Sequence, residues 1–331
     1  MRRVFFVLMA ALPALAVDGT VVNQTTGKPA ANALVTLYRV GQQGMSPLET
    51  TKTDAGGRFT TKQSTQGPQL LQTIFDGVVY IRMLPPGSST TGLAVEVFNS
   101  SKEPGDAQIS QHMVLIEPGG GQVNATETYV FNNAGKVTFS NSSDGTLRFW
   151  LPEAAKNVVQ VTALSPGSMP VQRDAEKTKQ AGVYKLDFPI KPGETRIDVR
   201  YMVPRPDNGV FAGKVLYKGQ GPTRLVAPPG VTLAGDGIQL MGPEPQTKAN
   251  IYDVKTASYQ VTVQGSGALA QQQSADPQDS GPQIEQIMPK LWDNVVPIVA
   301  LAFGILALGF ILLYRAQPET AEGKHEQRRR G

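Results

Sequence analysis

The fold class is decided by the stretch Thr195-Arg196-Ile197-Asp198-Val199-Arg200-Tyr201-Met202-Val203. Its strict alternation places Ile197, Val199, Tyr201 and Val203 on one face of an extended strand. The same alternation recurs at residues 147–151, 184–188 and 259–263, and turn sequences rich in Gly, Pro and Asp separate the runs. Short alternating runs joined by such turns predict antiparallel β-sandwiches arranged in tandem.

The composition agrees with an all-β chain. The 331 residues include 34 Gly and 25 Pro, and only residues 153–160 and 173–180 have the composition of short helices. The second of these segments fits a charged loop better than a helix. There is no Cys, which excludes disulfides, a lipoprotein anchor, a thiolate metal site and a cysteine nucleophile. The net charge is only +4, and no basic stripe with interleaved aromatic residues is present. Nucleic acid is therefore not an expected partner.

The two ends of the chain predict export and membrane anchoring. Residues 1–16 combine Arg2 and Arg3, an apolar run and the small-x-small sequence Ala14-Leu15-Ala16, as in a cleaved signal peptide. Residues 293–314 contain about 20 uncharged residues, enough at roughly 1.5 Å per residue to cross a hydrocarbon core. This segment predicts one C-terminal transmembrane helix.

Charge sets the expected orientation. Positive residues at 315, 324 and 328–330 follow the apolar segment, so the tail at residues 315–331 is expected in the cytoplasm. Residues 266–290 are rich in Gln, Ser, Gly, Asp and Pro and predict a flexible stalk. We therefore expect a single-pass protein of the cytoplasmic membrane, with most of the chain in the periplasm or at the cell surface.

Residues 17–86 carry a recurring set of turn and core residues. They are Gly19-Thr20-Val21, Gly27-Lys28-Pro29, Ala33-Leu34-Val35-Thr36-Leu37 and Thr53-Asp54-Ala55-Gly56-Gly57-Arg58-Phe59. In this spacing the segment resembles the carboxypeptidase regulatory-like family, whose members show G-x-V, G-x-P, A-x-V-x-L and T-D-x-x-G-x-F. The resemblance implies a small transthyretin-like sandwich, close to carbohydrate-binding-like sandwiches, and it implies no catalytic chemistry.

Beyond residue 86 the alternation continues without a resemblance to a family. Residues 87–205 predict a second, immunoglobulin-like sandwich, and residues 206–265 predict a third β-rich domain or an extension of the second. The sequence Pro204-Arg205-Pro206 is the best internal boundary, because proline disfavours regular structure. Whether residues 87–265 form one domain or two is left open.

Exposed aromatic side chains are the usual platforms for stacking a sugar, and the candidates are Trp150, Tyr80 and Tyr129. Each also fits an ordinary place in a core. His112 has no partner within a recognisable metal or triad motif, and Gly119-Gly120-Gly121 lacks the lysine of a phosphate loop. We expect no catalytic residue, no cofactor and no metal site.

The sequence therefore predicts a non-catalytic, membrane-anchored envelope protein whose sandwiches bind another protein or act as a scaffold. The alternative is a carbohydrate-binding module at the cell surface or in the periplasm. A protein-binding role predicts an apolar patch or a free sheet edge. A sugar-binding role predicts a groove with exposed aromatic residues, and a hydrolase would require paired carboxylates in a cleft.

Overall fold

The computed structural model describes residues 16–42, 44–63, 67–155, 159–205, 208–217 and 221–269. Within these ranges no helix is long and apolar enough to span a membrane. The predicted transmembrane segment, the cytoplasmic tail, most of the stalk and all but the last residue of the signal peptide lie outside the described residues. The described residues are nearly all in strands and turns, so the predicted all-β class is confirmed.

The first eight strands form two facing sheets, which we call the first sandwich. They are β1 (Val17–Asn23), β2 (Lys28–Pro29), β3 (Leu34–Gly41), β4 (Gly44–Lys52), β5 (Arg58–Thr61), β6 (Gln69–Phe75), β7 (Val78–Leu84) and β8 (Leu93–Val97). In one sheet β1 pairs with β2, β5 and β8, and the other has the order β4-β3-β6-β7. The first sandwich thus continues past residue 86, because β8 belongs to it.

Asp54 in a turn and Gly19 in β1 each have a clear physical role in the first sandwich. Asp54 accepts hydrogen bonds through Oδ1 from the backbone N–H groups of Gly56 (2.9 Å) and Arg58 (2.8 Å), which closes the turn before β5. At Gly19 a Cβ atom would lie 2.2 Å from the carbonyl oxygen of Leu93. Only glycine therefore allows β8 to lie beside β1 at this separation.

The next part of the chain holds ten strands and one short helix. They are β9 (Ser100–Ser101), β10 (Ala107–Gly119), β11 (Gln122–Asn133), β12 (Thr138–Phe139), β13 (Leu147–Trp150), the 3₁₀ helix η1 (Glu153–Ala155), β14 (Val159–Leu164), β15 (Val171–Arg173), β16 (Glu176–Lys177), β17 (Val183–Leu186) and β18 (Gly193–Pro204). The composition of residues 153–160 gives only this single helical turn in the described part. Residues 173–180, interpreted from the sequence as a charged loop rather than a helix, contribute Arg173 to β15 and Glu176–Lys177 to β16.

The last six strands extend the same architecture. They are β19 (Val210–Lys214), β20 (Thr223–Ala227), β21 (Val231–Ala234), β22 (Ile238–Pro243), β23 (Asn250–Val254) and β24 (Ser258–Gly265). Strands from both sides of Pro204 join one eight-stranded sheet in the order β15-β14-β18-β11-β10-β20-β23-β22. Two three-stranded sheets, β13-β17-β16 and β19-β24-β21, share one apolar core with it. We call this assembly the large sandwich.

Pairing in the large sandwich departs from a purely antiparallel pattern. Strands β10 and β20 run parallel, as do β9 with β12 and β1 with β8 elsewhere in the described chain. Alternation fixes which side chains face inward but not the direction of the neighbouring strand, so these pairings were not predicted. The inward set itself agrees with the alternation, since Ile197, Val199, Tyr201 and Val203 are all buried.

Candidate functional site

The structure separates the three aromatic residues that the sequence singled out. Tyr80 and Tyr129 are core residues with only 5% and 2% of their surface exposed, whereas Trp150 is half-buried at the end of β13. Trp150 is therefore the accessible ring of the three.

Trp150 stands at the rim of a cleft of about 570 Å³ over the outer face of the sheet β19-β24-β21. We call this the Trp150 cleft. Small side chains from Ala212 and Ala234 lie along it, and Lys214, Asp236, Ser258, Gln260 and Thr262 add polar groups. The Lys214 Nζ atom lies over the indole ring, 5.0 Å from its centroid. The cleft thus combines an aromatic face, a cation and hydrogen-bonding side chains.

Beneath the floor of the cleft, on the inner side of the sheet, the Tyr259 side chain of β24 lies close to the backbone of β19. Gly213 on β19 pairs with Tyr259 on β24, and a Cβ atom at position 213 would lie 2.2 Å from the tyrosine ring. The buried Tyr259 ring can cross beneath β19 only because position 213 has no side chain. On the outer face, the small side chains of Ala212 and Ala234 leave room for the cleft.

A buried polar cluster lies inside the large sandwich, around the histidine that appeared solitary in the sequence. The Glu127 carboxyl group accepts hydrogen bonds from the hydroxyls of Tyr129 (2.5 Å) and Tyr201 (2.8 Å). His112 places Nε2 3.3 Å from the same carboxyl group and Nδ1 3.2 Å from Thr223 Oγ1. All five residues are buried. We call this cluster the Glu127 network.

The Glu127 network crosses four adjacent strands, β18, β11, β10 and β20. The ring of His112 stacks on Tyr129 at a centroid distance of 4.1 Å, and the hydroxyl of Tyr217 lies 2.9 Å from Thr223 Oγ1. Burial is the main cause that raises the pKa of Tyr217 to about 12 and the pKa values of Tyr129 and Tyr201 well above 10.0. The second cause for Tyr129 and Tyr201 is the nearby Glu127 carboxyl group, which raises the pKa of both. The tyrosine hydroxyls therefore remain hydrogen-bond donors at any physiological pH.

Sequence reasoning missed this network, although one signal pointed to it. Glu127 occupies an inward position in the alternation of Val123, Ala125, Tyr129 and Phe131 on β11. A charged residue in an inward register requires hydrogen-bonding partners. The partners come from strands that are distant in sequence, so they could not be named beforehand.

Tyr80 joins the first sandwich to the segment that follows it. Its hydroxyl donates to the carbonyl of Phe98 (3.0 Å) and lies 3.0 Å from Thr138 Oγ1. The Nζ atom of Lys191 lies 5.0 Å from the centroid of the Tyr80 ring, and burial lowers the pKa of Lys191 to about 8. Because only 5% of the Tyr80 surface is exposed, its ring is a core residue and does not offer a free face for a sugar.

The edge strand β22 exposes two adjacent apolar side chains. Leu240 and Met241 are 58% and 60% exposed, and a register shift between Leu240 and Gly242 leaves Met241 without a partner on β23. In the described part of the chain no strand pairs with the outer side of β22. An apolar, unpaired sheet edge is a surface to which another extended chain can bind.

Within the described ranges no group of three or more His, Cys, Asp or Glu residues is arranged to hold a metal ion. Gly120 and Gly121 form the turn between β10 and β11 with positive φ angles of 60° and 77°. The glycine-rich sequence is therefore a hairpin turn.

Comparison with known proteins adds little. No family model matches the chain, and no curated protein matches it. Among solved structures, the chain is similar to an M1 zinc metallopeptidase from Deinococcus radiodurans with 12% sequence identity and a TM-score of 0.25. The match covers 47% of this chain and 42% of that chain. A likeness at this level carries no conclusion about fold or function.

Proposed function

We propose that this protein is a non-catalytic protein of the cell envelope that is anchored in the cytoplasmic membrane and binds another envelope protein through its β-sandwiches. The signal sequence at residues 1–16 and the apolar segment at residues 293–314 support the anchoring. The motifs of residues 17–86 support a transthyretin-like first sandwich, and the alternating strands that follow support an immunoglobulin-like arrangement. The scaffold lies outside the cytoplasm.

The observation that carries the binding role is the edge strand β22. Leu240 and Met241 gain free energy when they leave water, at roughly 25 cal/mol per Å² of apolar surface that becomes buried. The unpaired backbone on the same strand offers hydrogen bonds to an added strand. Pro243 cannot donate, and the register shift at Met241 interrupts the ladder, so pairing is confined to the first half of β22.

The occupant is an extended segment of a different envelope protein that adds to the sheet beside residues 238–241. The opposite edge of the same sheet is the three-residue strand β15, with Gln172 and Arg173 exposed. A short, charged edge resists strand addition. Strand addition is therefore favoured at the apolar edge β22 and disfavoured at the charged edge β15, so a partner chain would bind at one edge of the sheet only.

A photo-crosslinking residue at Gln239 tests this role in the full-length protein within native membranes. We expect one defined adduct with another protein, lost in Leu240→Asp and retained in Gln172→Asp, which places the same charge on β15. An adduct that survives Leu240→Asp would overturn the proposal, and so would the absence of any adduct. An adduct between two copies of this chain would replace the proposed partner with self-association.

A further inference from the structure

The Trp150 cleft is a second surface, separate from the β22 edge, and its side chains point to a different kind of ligand. The cleft has a volume of about 570 Å³, which is within the usual range of about 300–1,000 Å³ for small-molecule sites. It lies on the outer face of a three-stranded sheet, where Lys214, Ser258 and Gln260 are exposed.

Four polar side chains of the cleft make no hydrogen bond within the described part of the protein. Among the described residues, the side chains of Asp236, Ser258, Gln260 and Thr262 have no hydrogen-bond partner, although all four line the cleft. Hydroxyl, amide and carboxyl groups offer donors and acceptors along the cleft, beside the apolar side chains of Ala212 and Ala234. A ligand with several hydroxyl groups satisfies both properties.

The indole ring supplies the apolar side of the contact. The face of an aromatic ring has a negative electrostatic potential, so it attracts the weakly positive C–H groups of a sugar ring as well as a cation. In the free protein the Lys214 ammonium group occupies this position. Its exposed side chain is flexible and can swing aside, so that the ammonium group then donates to a hydroxyl of the ligand.

The two charged groups on the cleft lining indicate which class of sugar the cleft would bind. Lys214 and Asp236 are the two ionisable groups of opposite sign on the cleft lining, so the cleft has no net charge. An acidic polymer gains little from such a surface, whereas a neutral sugar receives hydrogen bonds from both groups. We infer that the Trp150 cleft binds a neutral pyranose unit of an oligosaccharide, with the sugar ring stacked on Trp150. This inference does not depend on the β22 edge.

The test uses purified full-length protein in mild detergent on an array of neutral and uronic-acid-containing oligosaccharides. We expect saturable binding to neutral oligosaccharides, with an affinity that falls about tenfold or more in Trp150→Ala and less in Trp150→Phe. Ala212→Leu fills the floor while keeping the indole, and it should abolish binding. Leu240→Asp should bind sugars as the unchanged protein does.

The outcomes separate the alternatives. Thermal unfolding of each variant shows whether it has folded, and Ala212→Leu provides the test if Trp150→Ala has not. An array without a bound oligosaccharide overturns the inference, as does binding that both cleft variants retain. Binding restricted to acidic oligosaccharides overturns the assignment to a neutral sugar. None of these results affects the crosslink at Gln239, so the two proposals fail independently.

Discussion

The first sandwich and the large sandwich are both two-layered β structures, but they are filled differently. The buried polar residues of the first sandwich are all uncharged, namely Asn23, Thr36, Thr53, Thr61, Gln69 and Thr73. The large sandwich buries His112 and Glu127 among its core tyrosines. The first sandwich is thus held by apolar packing and turns, whereas the large sandwich adds a polar network.

A buried polar network can specify which strands pair when they are distant in sequence. An apolar core accepts several packing arrangements at similar cost, whereas a buried carboxyl group is satisfied only when its particular partners are in place. The Glu127 network contains Tyr201 before the predicted boundary at Pro204 and Thr223 after it. We infer that the network specifies the parallel pairing of β10 with β20, which makes residues on both sides of that boundary parts of one sheet.

The largest expected effect comes from removing the acceptor of the network. In Glu127→Leu, the hydroxyls of Tyr129 and Tyr201 lose their buried acceptor, which should destabilise the large sandwich by about 3–5 kcal/mol. Hydrogen exchange under increasing urea, followed in peptides of β11 and β6, measures each sandwich separately. Glu127→Gln, which retains an acceptor oxygen, should lose less. An equal loss of protection in β6 would contradict the distinction between the two sandwiches.

Alkaline pH should weaken the large sandwich next. Burial raises the pKa values of Tyr129, Tyr201 and Tyr259 well above 10.0, so above pH 10 the unfolded state releases protons that the folded state retains. Stability therefore falls as pH rises, by about 1.4 kcal/mol per tyrosine per pH unit, or roughly 4 kcal/mol per pH unit for the three. Tyr217, whose pKa is raised to about 12, adds to this fall in the same direction. Lys191, with its pKa lowered to about 8 from 10.5, acts in the opposite direction only between those values.

Urea unfolding at pH 10.5 and pH 11.5, followed by the fluorescence of Trp150 in a Trp292→Phe background, measures this dependence. Tyr201→Phe should reduce the slope by about one quarter to one third, because one of the three fully buried tyrosines is removed while Tyr217 still contributes. A free energy of unfolding that stays constant over this range would refute the role of the buried tyrosines.

A smaller effect, confined to the first sandwich, is expected from Gly19→Ala. The added Cβ would meet the carbonyl oxygen of Leu93, so β8 has to shift away from β1. Overpacking of this kind costs about 1–3 kcal/mol. Gly41→Ala is the matched control, since nothing lies within 4 Å of a Cβ there. Exchange protection in β8 should fall in the first variant only, and equal protection in both would show that the close approach is not required.

The smallest effect is expected at the turn before β5. Asp54→Ala removes the acceptor for the N–H groups of Gly56 and Arg58 on the surface of the first sandwich, which should cost about 1 kcal/mol. Asp54→Asn keeps an acceptor oxygen and should recover most of the loss. The thermal midpoint measures both variants. A loss in Asp54→Asn as large as in Asp54→Ala would mean that the charge, and not the turn, matters.

The class of structure and the side chains that face inward follow from the amino-acid sequence alone. Alternation at residues 195–203 predicts both, because the side chains of a strand point to opposite faces in turn. The turn at Asp54 is an equally local feature, since its hydrogen bonds involve only the residues beside it. The role of Gly19 is not local, because it comes from the approach of Leu93 on β8. Trp150 was also chosen from the sequence, on the strength of its ring alone.

Which strands pair, and which side chains become exposed, depends on how the whole chain packs. His112 and Thr223 are 111 residues apart along the chain, and alternation does not encode a pairing at that distance. Trp150 borders a cleft because β13 ends beside the sheet containing β19, whereas Tyr80 and Tyr129 are enclosed by other strands. The pattern of a strand depends on its own residues, but its neighbours depend on the packing of the whole chain.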